Sequence, residues 1–390
     1  MRLFLKSLAR YLALFLQAVS SPYREKRRPL GFLLVLGAFP IFVVVQLVHW
    51  ITLLLDELIF SGYRNVEVRE PVFVLGPPRS GTTHLHHVLS ADPDTTTFRT
   101  WECLLGLSIT SRKIILGLAK LDRAIGRPLG RLGAWIGRKF LAPMDDIHPI
   151  NLDDPEEDFL CLLPIASCFI QVVAFPNDPW IWRAARFDTE LNEGERNELL
   201  RWYRGCIQRH LYVFGPEKRF LSKNASFSGM PEALLNEFPD ARILYTSRDP
   251  QAVVPSQLSS LRPALRLFGF ADPGDRFRDR LIALLHYYYL HLADTAARNQ
   301  GRMAMIYNDD LRDNLEDSVL GALQAIQLPA SEAFRTHLLA ASAASRGFKS
   351  GHSYSLSEFG LDADELDSRF ADVYRRYDFG RSATDQGTSQ

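Results

Sequence analysis

The stretch PVFVLGPPRSGTTHLHHVL, residues 71–89, decides the fold. Val72-Phe73-Val74-Leu75 is an apolar run of strand length, and Leu85, Val88 and Leu89 recur behind it at helical spacing. Between them lies GPPRSGTT, residues 76–83. A strand, a glycine-containing loop and a helix start aim unpaired backbone N–H groups and the positive helix end at one point, a nest for an anion such as phosphate. A triphosphate-binding Walker loop would carry Lys followed by Ser or Thr after its second glycine. Here Thr82 and Thr83 follow Gly81, and the cation of the loop is Arg79.

Outward from this unit, RFLS at 219–222, ARILYT at 241–246 and MAMI at 303–306 read as further buried strands. Helical patterns are predicted over 192–214, 231–238, 276–299 and 311–327, and glycine-broken helices over 104–142. Asp153 or Asp154 is predicted to cap a helix begun by Pro155. Apolar strands alternating with helices predict an α/β fold: a P-loop-like parallel sheet wrapped by helices. The expected organisation is an N-terminal segment over 1–69, a main domain over 70–380 and a polar, disordered tail over 381–390.

The formal charge of +0 and a charged fraction of 23% supply no basic field, so nucleic acid is not an expected partner. Cys103, Cys161, Cys168 and Cys206 have no zinc-ligand spacing and read as small buried hydrophobes, so no metal is expected.

Residues 30–60 carry no charge before Asp56, and ~20 apolar residues suffice to cross a bilayer. Pro40 and Gly37 interrupt the run. Before it, Arg2, Lys6 and Arg10 fall on one helical stripe among leucines and phenylalanines, as in a helix lying on a membrane surface. Arg24, Lys26, Arg27 and Arg28 favour the cytoplasmic side for the linking segment. Membrane-associated hydrophobic helices are therefore expected at the N-terminus, crossing once, folding back at Pro40, or dipping in. A fold-back keeps the main domain on the cytosolic face, the expected side; a single crossing, a transmembrane helix, would place it outside.

A second anchor is YTSRDPQAVVPS, residues 245–256, where a strand ends at Arg248 and Ser256 follows near the next helix start. Arginine binds phosphate in bidentate fashion and a serine hydroxyl adds a donor. Together the two anchors resemble the nucleotide-dependent sulfotransferases whose members carry a Pro-Arg-Ser-Gly-Thr-Thr loop. The resemblance covers most of residues 70–380 and takes in Trp101-Glu102, the His148-Pro149 and Pro155-Glu156-Glu157 segments, Lys223, and the 354–361 stretch.

The resemblance implies a nucleotide-binding transferase using 3′-phosphoadenosine 5′-phosphosulfate. Its 5′-phosphosulfate would lie on Arg79, Ser80, Gly81, Thr82 and Thr83, and its 3′-phosphate on Arg248 and Ser256. Lys223 matches a lysine that lies by the donor, although Asn224 follows it where serine is more familiar. Lys349 and Tyr354 match a late loop that closes over the 3′-phosphate side. Sulfuryl transfer needs N–H groups, hydroxyls and a cation rather than a metal. Arg79 or Lys223 would meet the charge growing on the bridging oxygen.

The acceptor must lose a proton, so a base is required. Glu102 is the first candidate and His148 the second. His84, His86 and His87 lack the spacing of a helical zinc site, and Glu156 and Glu157 read as a helix start. The acceptor is a small molecule, lipid or glycan bearing a hydroxyl or amine. Competing readings are a kinase or NTPase, which predicts lysine where Thr82 stands, and a non-catalytic membrane-anchored nucleotide-binding protein.

Overall fold

The computed structural model describes residues 2–20, 29–128, 130–131, 152–270, 274–345 and 356–379. Five parallel strands form one sheet: β1 Val72–Leu75, β2 Thr95–Thr96, β3 Arg219–Lys223, β4 Arg242–Ser247 and β5 Met303–Tyr307, in the order β2-β3-β1-β4-β5. β1 is central, with Val74 opposite Lys223 on one side and Leu244 on the other.

The run at 72–75 is apolar throughout because both sheet faces are covered. Phe73 and Leu75 enter one core cluster with Phe220 and Ile243. Val72 and Val74 enter the other with Leu85, Leu221 and Leu244.

The helices include α1 Arg2–Val19, α2 Pro29–Ile59, α3 Thr82–Leu89, α4 Thr100–Leu105, α5 Ile109–Ala124, α6 Glu193–Phe214, α7 Pro231–Glu237, α8 Pro250–Leu267, α9 Gly274–Arg298, α10 Leu315–Ala325 and α11 Glu332–Ser345. Two helix expectations are revised. Asn314 breaks the helix expected over 311–327 into Asn308–Asp313 and α10. Pro155 starts no helix: it pairs with Arg99 in an isolated antiparallel bridge, and a 3-10 turn, Asp158–Ile165, begins after it. The bridge commits Glu156 N–H to the Phe98 carbonyl at 2.9 Å, so the chain is extended where a first helical turn would lie.

α2 is one continuous helix through Pro40, so the chain does not fold back there. It is long and apolar enough to cross a membrane. Yet Tyr11 and Leu14 of α1 and Val35 of α2 belong to the same core cluster as Phe73. Lys6 and Arg10 turn toward the protein, pairing with Glu198 at 2.6 Å and Asp178 at 3.4 Å. All four cysteines are free and buried.

Candidate active site

After β1 the chain moves to β2 and β3 on one side of the sheet, whereas after β4 it moves to β5 on the other. The crevice between the carboxyl ends of β1 and β4 is thus a topological switch point, where open α/β sheets bind ligands. Both anchors end there.

Gly76 leaves β1 at φ +142°, and a Cβ on it would lie 2.6 Å from the Thr246 carbonyl oxygen. Its N–H donates to Ser228 Oγ at 3.0 Å. Ser80 is buried, donates its hydroxyl to the Pro77 carbonyl at 2.6 Å and lies 2.6 Å from Thr246 Oγ1. Its N–H also closes on Pro77 O. Ser80 therefore ties the loop to β4, and its hydroxyl is turned inward rather than to the crevice.

Arg79 adopts the left-handed region at φ +71°. Its Nε donates to Ser256 Oγ at 3.0 Å, and its carbonyl accepts from Arg248 Nη1 at 3.3 Å. Tyr289 holds the Arg248 carbonyl from behind at 2.5 Å. Arg79, Arg248 and Ser256 are thus brought into one contact set from segments far apart in the chain. Gly81 precedes α3 at φ +98° with no side-chain cap.

A cavity of about 620 Å3 adjoins this loop. Arg79, Thr82 and Thr83 line one part of it, and Glu156 and Glu157 another. Phe159, Leu160, Phe169, Ile170 and Leu261 supply much of the apolar remainder. Lys223 closes β3, is almost fully buried, and its ammonium pairs with the Glu157 carboxylate. Glu157 is the residue before the 3-10 turn, so its carboxylate is fixed at the cavity wall by local backbone and by Lys223.

Glu102 lies elsewhere. It is the third residue of α4, is 1% exposed, and does not line the cavity. One oxygen accepts from Arg112 Nε and from His210 Nδ1, each at 2.8 Å, and the other from the Arg99 N–H at 3.1 Å. Burial opposes its ionisation, but the neighbouring His210 and Arg112 outweigh this and hold the carboxyl below its ordinary range. Against the pull of Glu102, burial likewise lowers the pKa of His210. His210 donates from Nδ1 and accepts at Nε2 from Thr96 Oγ1, 2.8 Å away.

His86 is also internal, 2.9 Å from Thr97 Oγ1, and burial lowers its pKa well below the usual value. His148, Lys349 and Tyr354 lie outside the described residues. Glu157 was legible only as part of a helix start. Its place on the cavity depends on Lys223, 66 residues away.

The model described as "Sulfotransferase family" matches residues 71–332. The chain belongs to the sulfotransferase family. Among curated relatives it is 27% identical over 222 residues to the omega-hydroxy-beta-dihydromenaquinone-9 sulfotransferase Stf3 of Mycobacterium bovis, and equally to that of Mycobacterium tuberculosis. Each match covers 55% of this chain and 51% of the relative, so the chain spans about half the length of these relatives.

Two sulfotransferase crystal structures share the fold across nearly the whole chain. STF9 from Mycobacterium avium has a TM-score of 0.72 at 19% identity, covering 95% of this chain and 91% of that one. STF1 from Mycobacterium tuberculosis H37Rv has a TM-score of 0.69 at 19% identity, covering 94% and 92%. The sulfotransferase family match begins at β1 and ends at the start of α11, whereas the structural likeness covers 94% of the chain.

Proposed function

We propose that this protein transfers a sulfuryl group from 3′-phosphoadenosine 5′-phosphosulfate to a hydroxyl on an apolar acceptor. The observation that carries the reading is the convergence of Arg79, Arg248 and Ser256 at the switch point, directly beside a largely apolar cavity. The residues present suit a nucleotide with anions at two ends. Gly76 and Gly81 give the loop a backbone surface where a Cβ would collide with Thr246 and Asn308. Ser247 Oγ and Asn224 Nδ2, just past or at the ends of β4 and β3, are buried polar atoms without a protein partner.

In this reading the backbone N–H groups at Gly81, Thr82 and Thr83 and the guanidinium of Arg79 hold the phosphosulfate. Arg248 and Ser256 hold the 3′-phosphate. Glu157, rather than Glu102, is the base, because it faces the cavity while Glu102 is sealed in an ion pair. The acceptor hydroxyl oxygen attacks sulfur, its proton passes to Glu157, and the S–O bond to the bridging oxygen breaks. The products are a sulfate ester and adenosine 3′,5′-bisphosphate. As Glu157 takes the proton, the Lys223 ammonium loses its carboxylate partner and stabilises the charge on the leaving oxygen.

The apolar lining supports a lipid-like alcohol over a glycan, and relatives named for a hydroxylated dihydromenaquinone support it further. Calorimetry with adenosine 3′,5′-bisphosphate tests the donor assignment on the wild type and on Arg248→Ala. Binding by the wild type and a weakening of roughly 10- to 100-fold in the variant are expected, as for a hydrogen bond to a charged group. Equal affinity, or none in either protein, would sink the assignment.

A further inference from the structure

Most of the exposed large apolar side chains among the described residues belong to α1, α2 and α5. On α1, Leu5, Leu8, Leu12 and Leu16 form one outward stripe, opposite the buried Tyr11, Leu14 and Ala18. α2 is two-sided toward both of its ends. Gly31, Val35, Gln46, His49, Leu53 and Asp56 are buried on the protein, whereas Leu33, Val44, Val48, Ile51, Leu54 and Leu58 face outward. α2 packs on both α1 and α5, so the three form a layer with α2 in the middle. Beyond Arg112, α5 buries only Asp122 and exposes Ile114, Leu116, Leu118 and Leu121.

The buried stripe of α2 argues against a crossing. At 1.5 Å per residue, Gly31 to Asp56 spans about 38 Å, longer than the ~30 Å hydrocarbon core. Both ends of that length are fixed to the protein, and Phe39, Phe42 and Val43 between them are partly buried against its core. A Cβ on Gly31 would meet Gly269 Cα at 2.3 Å, so the backbones there are in close contact. Trp50 Nε1 donates to the Pro164 carbonyl at 3.0 Å, and Asp56 accepts from the Ile109 and Thr110 N–H groups at 2.7 and 2.8 Å and from Arg209 at 3.1 Å. A helix so attached cannot be ringed by lipid.

We propose that the outward faces of α1, α2 and α5 seat the enzyme in one leaflet of an anionic bilayer, with α2 in the membrane plane rather than across it. Charge selects this occupant. Lys113, Lys120, Arg123, Arg127 and Arg131 stand on or just beyond α5 in surface positions, and the acidic residue among them, Asp122, is turned in to the Gly130 N–H at 3.0 Å. Leucines and isoleucines interleaved with Lys and Arg are the composition of a helix at a headgroup boundary. A second copy docked on the same face about a two-fold axis would set these cations against one another.

The seat also adjoins the cavity. Phe39 of α2 meets Phe175 edge-on at 6.2 Å, just past the 3-10 turn Phe169–Val173, whose Phe169, Ile170 and Val172 line the cavity.

The test uses the full chain with Leu33→Cys, Val44→Cys and Leu54→Cys, one at a time. The native thiols are buried, so an environment-sensitive thiol dye reports the introduced site. With vesicles of phosphatidylcholine and phosphatidylglycerol in equal parts, lipid-borne quenchers should place all three dyes at one shallow depth, about 5–10 Å below the headgroups. Val44 at the bilayer centre with Leu33 and Leu54 at opposite interfaces overturns the proposal in favour of a crossing. No vesicle binding, with sedimentation as a dimer, overturns it in favour of a second copy. Lys120→Glu with Arg123→Glu should weaken flotation with these vesicles by roughly 30-fold; unchanged flotation overturns the role of charge. None of these readouts needs donor or turnover, so they stand or fall apart from the sulfuryl-transfer reading.

Discussion

Glu102 and Glu157 are chemically identical, but their surroundings differ. Glu102 is surrounded by Arg112, His210 and the Arg99 N–H inside the protein. Glu157 stands on the cavity wall with one lysine behind it. Glu102→Gln should leave the buried Arg112 charge without its partner and cost roughly 3–5 kcal/mol of stability. Denaturant unfolding measures this, and the folded fraction should retain its turnover. Glu157→Gln should do the reverse, lowering kcat by roughly 10²–10⁴ with nucleotide affinity unchanged. If Glu102→Gln instead abolishes turnover with stability intact, the assignment of the base is wrong.

A third carboxylate, Asp158, makes a pH prediction. It is buried against Tyr203 and Ser222, and burial raises its pKa from 3.8 to about 7. A carboxyl whose folded pKa is raised binds its proton more tightly when folded. Its contribution to stability is therefore fully present below about pH 4 and is lost as the pH rises to about 7. Asp158→Asn should flatten the stability profile across that window in unfolding experiments at stepped pH; a slope equal to that of the wild type would refute this.

The elements follow from sequence where the signal is local and fail where it is not. β1, β3, β4 and β5 were legible because each is a short apolar run buried on both faces, and the loop at 76–83 because a strand and a helix bracket it. Arg248 and Ser256 were legible as a second strand–helix unit, and β-sheet adjacency brings them to Arg79. Pro155 misled because its local preference for a helix start lost to a bridge with Arg99. The buried partners of Glu102 were hidden because His210 lies 108 residues away and no periodicity links them. Ser80 matched the motif, but its side chain holds the loop to β4.

Gly76→Ala probes this element. Its φ of +142° and a Cβ position 2.6 Å from a backbone oxygen allow no relaxed alanine. A loss of about 1–3 kcal/mol in stability is expected, together with weakened adenosine 3′,5′-bisphosphate binding by calorimetry. Retention of both would mean that the loop geometry is not what holds the nucleotide.

At the scale of the molecule, the apolar N-terminus is built into the folded domain rather than appended to it. Asp56 near the end of α2 caps the start of α5 through two backbone N–H groups and pairs with Arg209 of α6, whose guanidinium lies 4.0 Å from the Tyr63 ring centre. α1 and α2 share a hydrophobic cluster with the sheet, so removing residues 1–69 would expose the face of the core that Tyr11, Leu14 and Val35 cover. Breaking Asp56 alone should therefore disturb the whole. Asp56→Ala strands Arg209 next to its remaining partner Glu57 and uncaps α5, an expected loss of roughly 3–5 kcal/mol. Because the helices and the sheet share one core, the loss should appear as a single shifted transition, seen alike by near-ultraviolet circular dichroism and by loss of nucleotide binding. An anchor that merely tethers would behave differently: the nucleotide-binding transition would stay where it is in the wild type, and only vesicle binding would change.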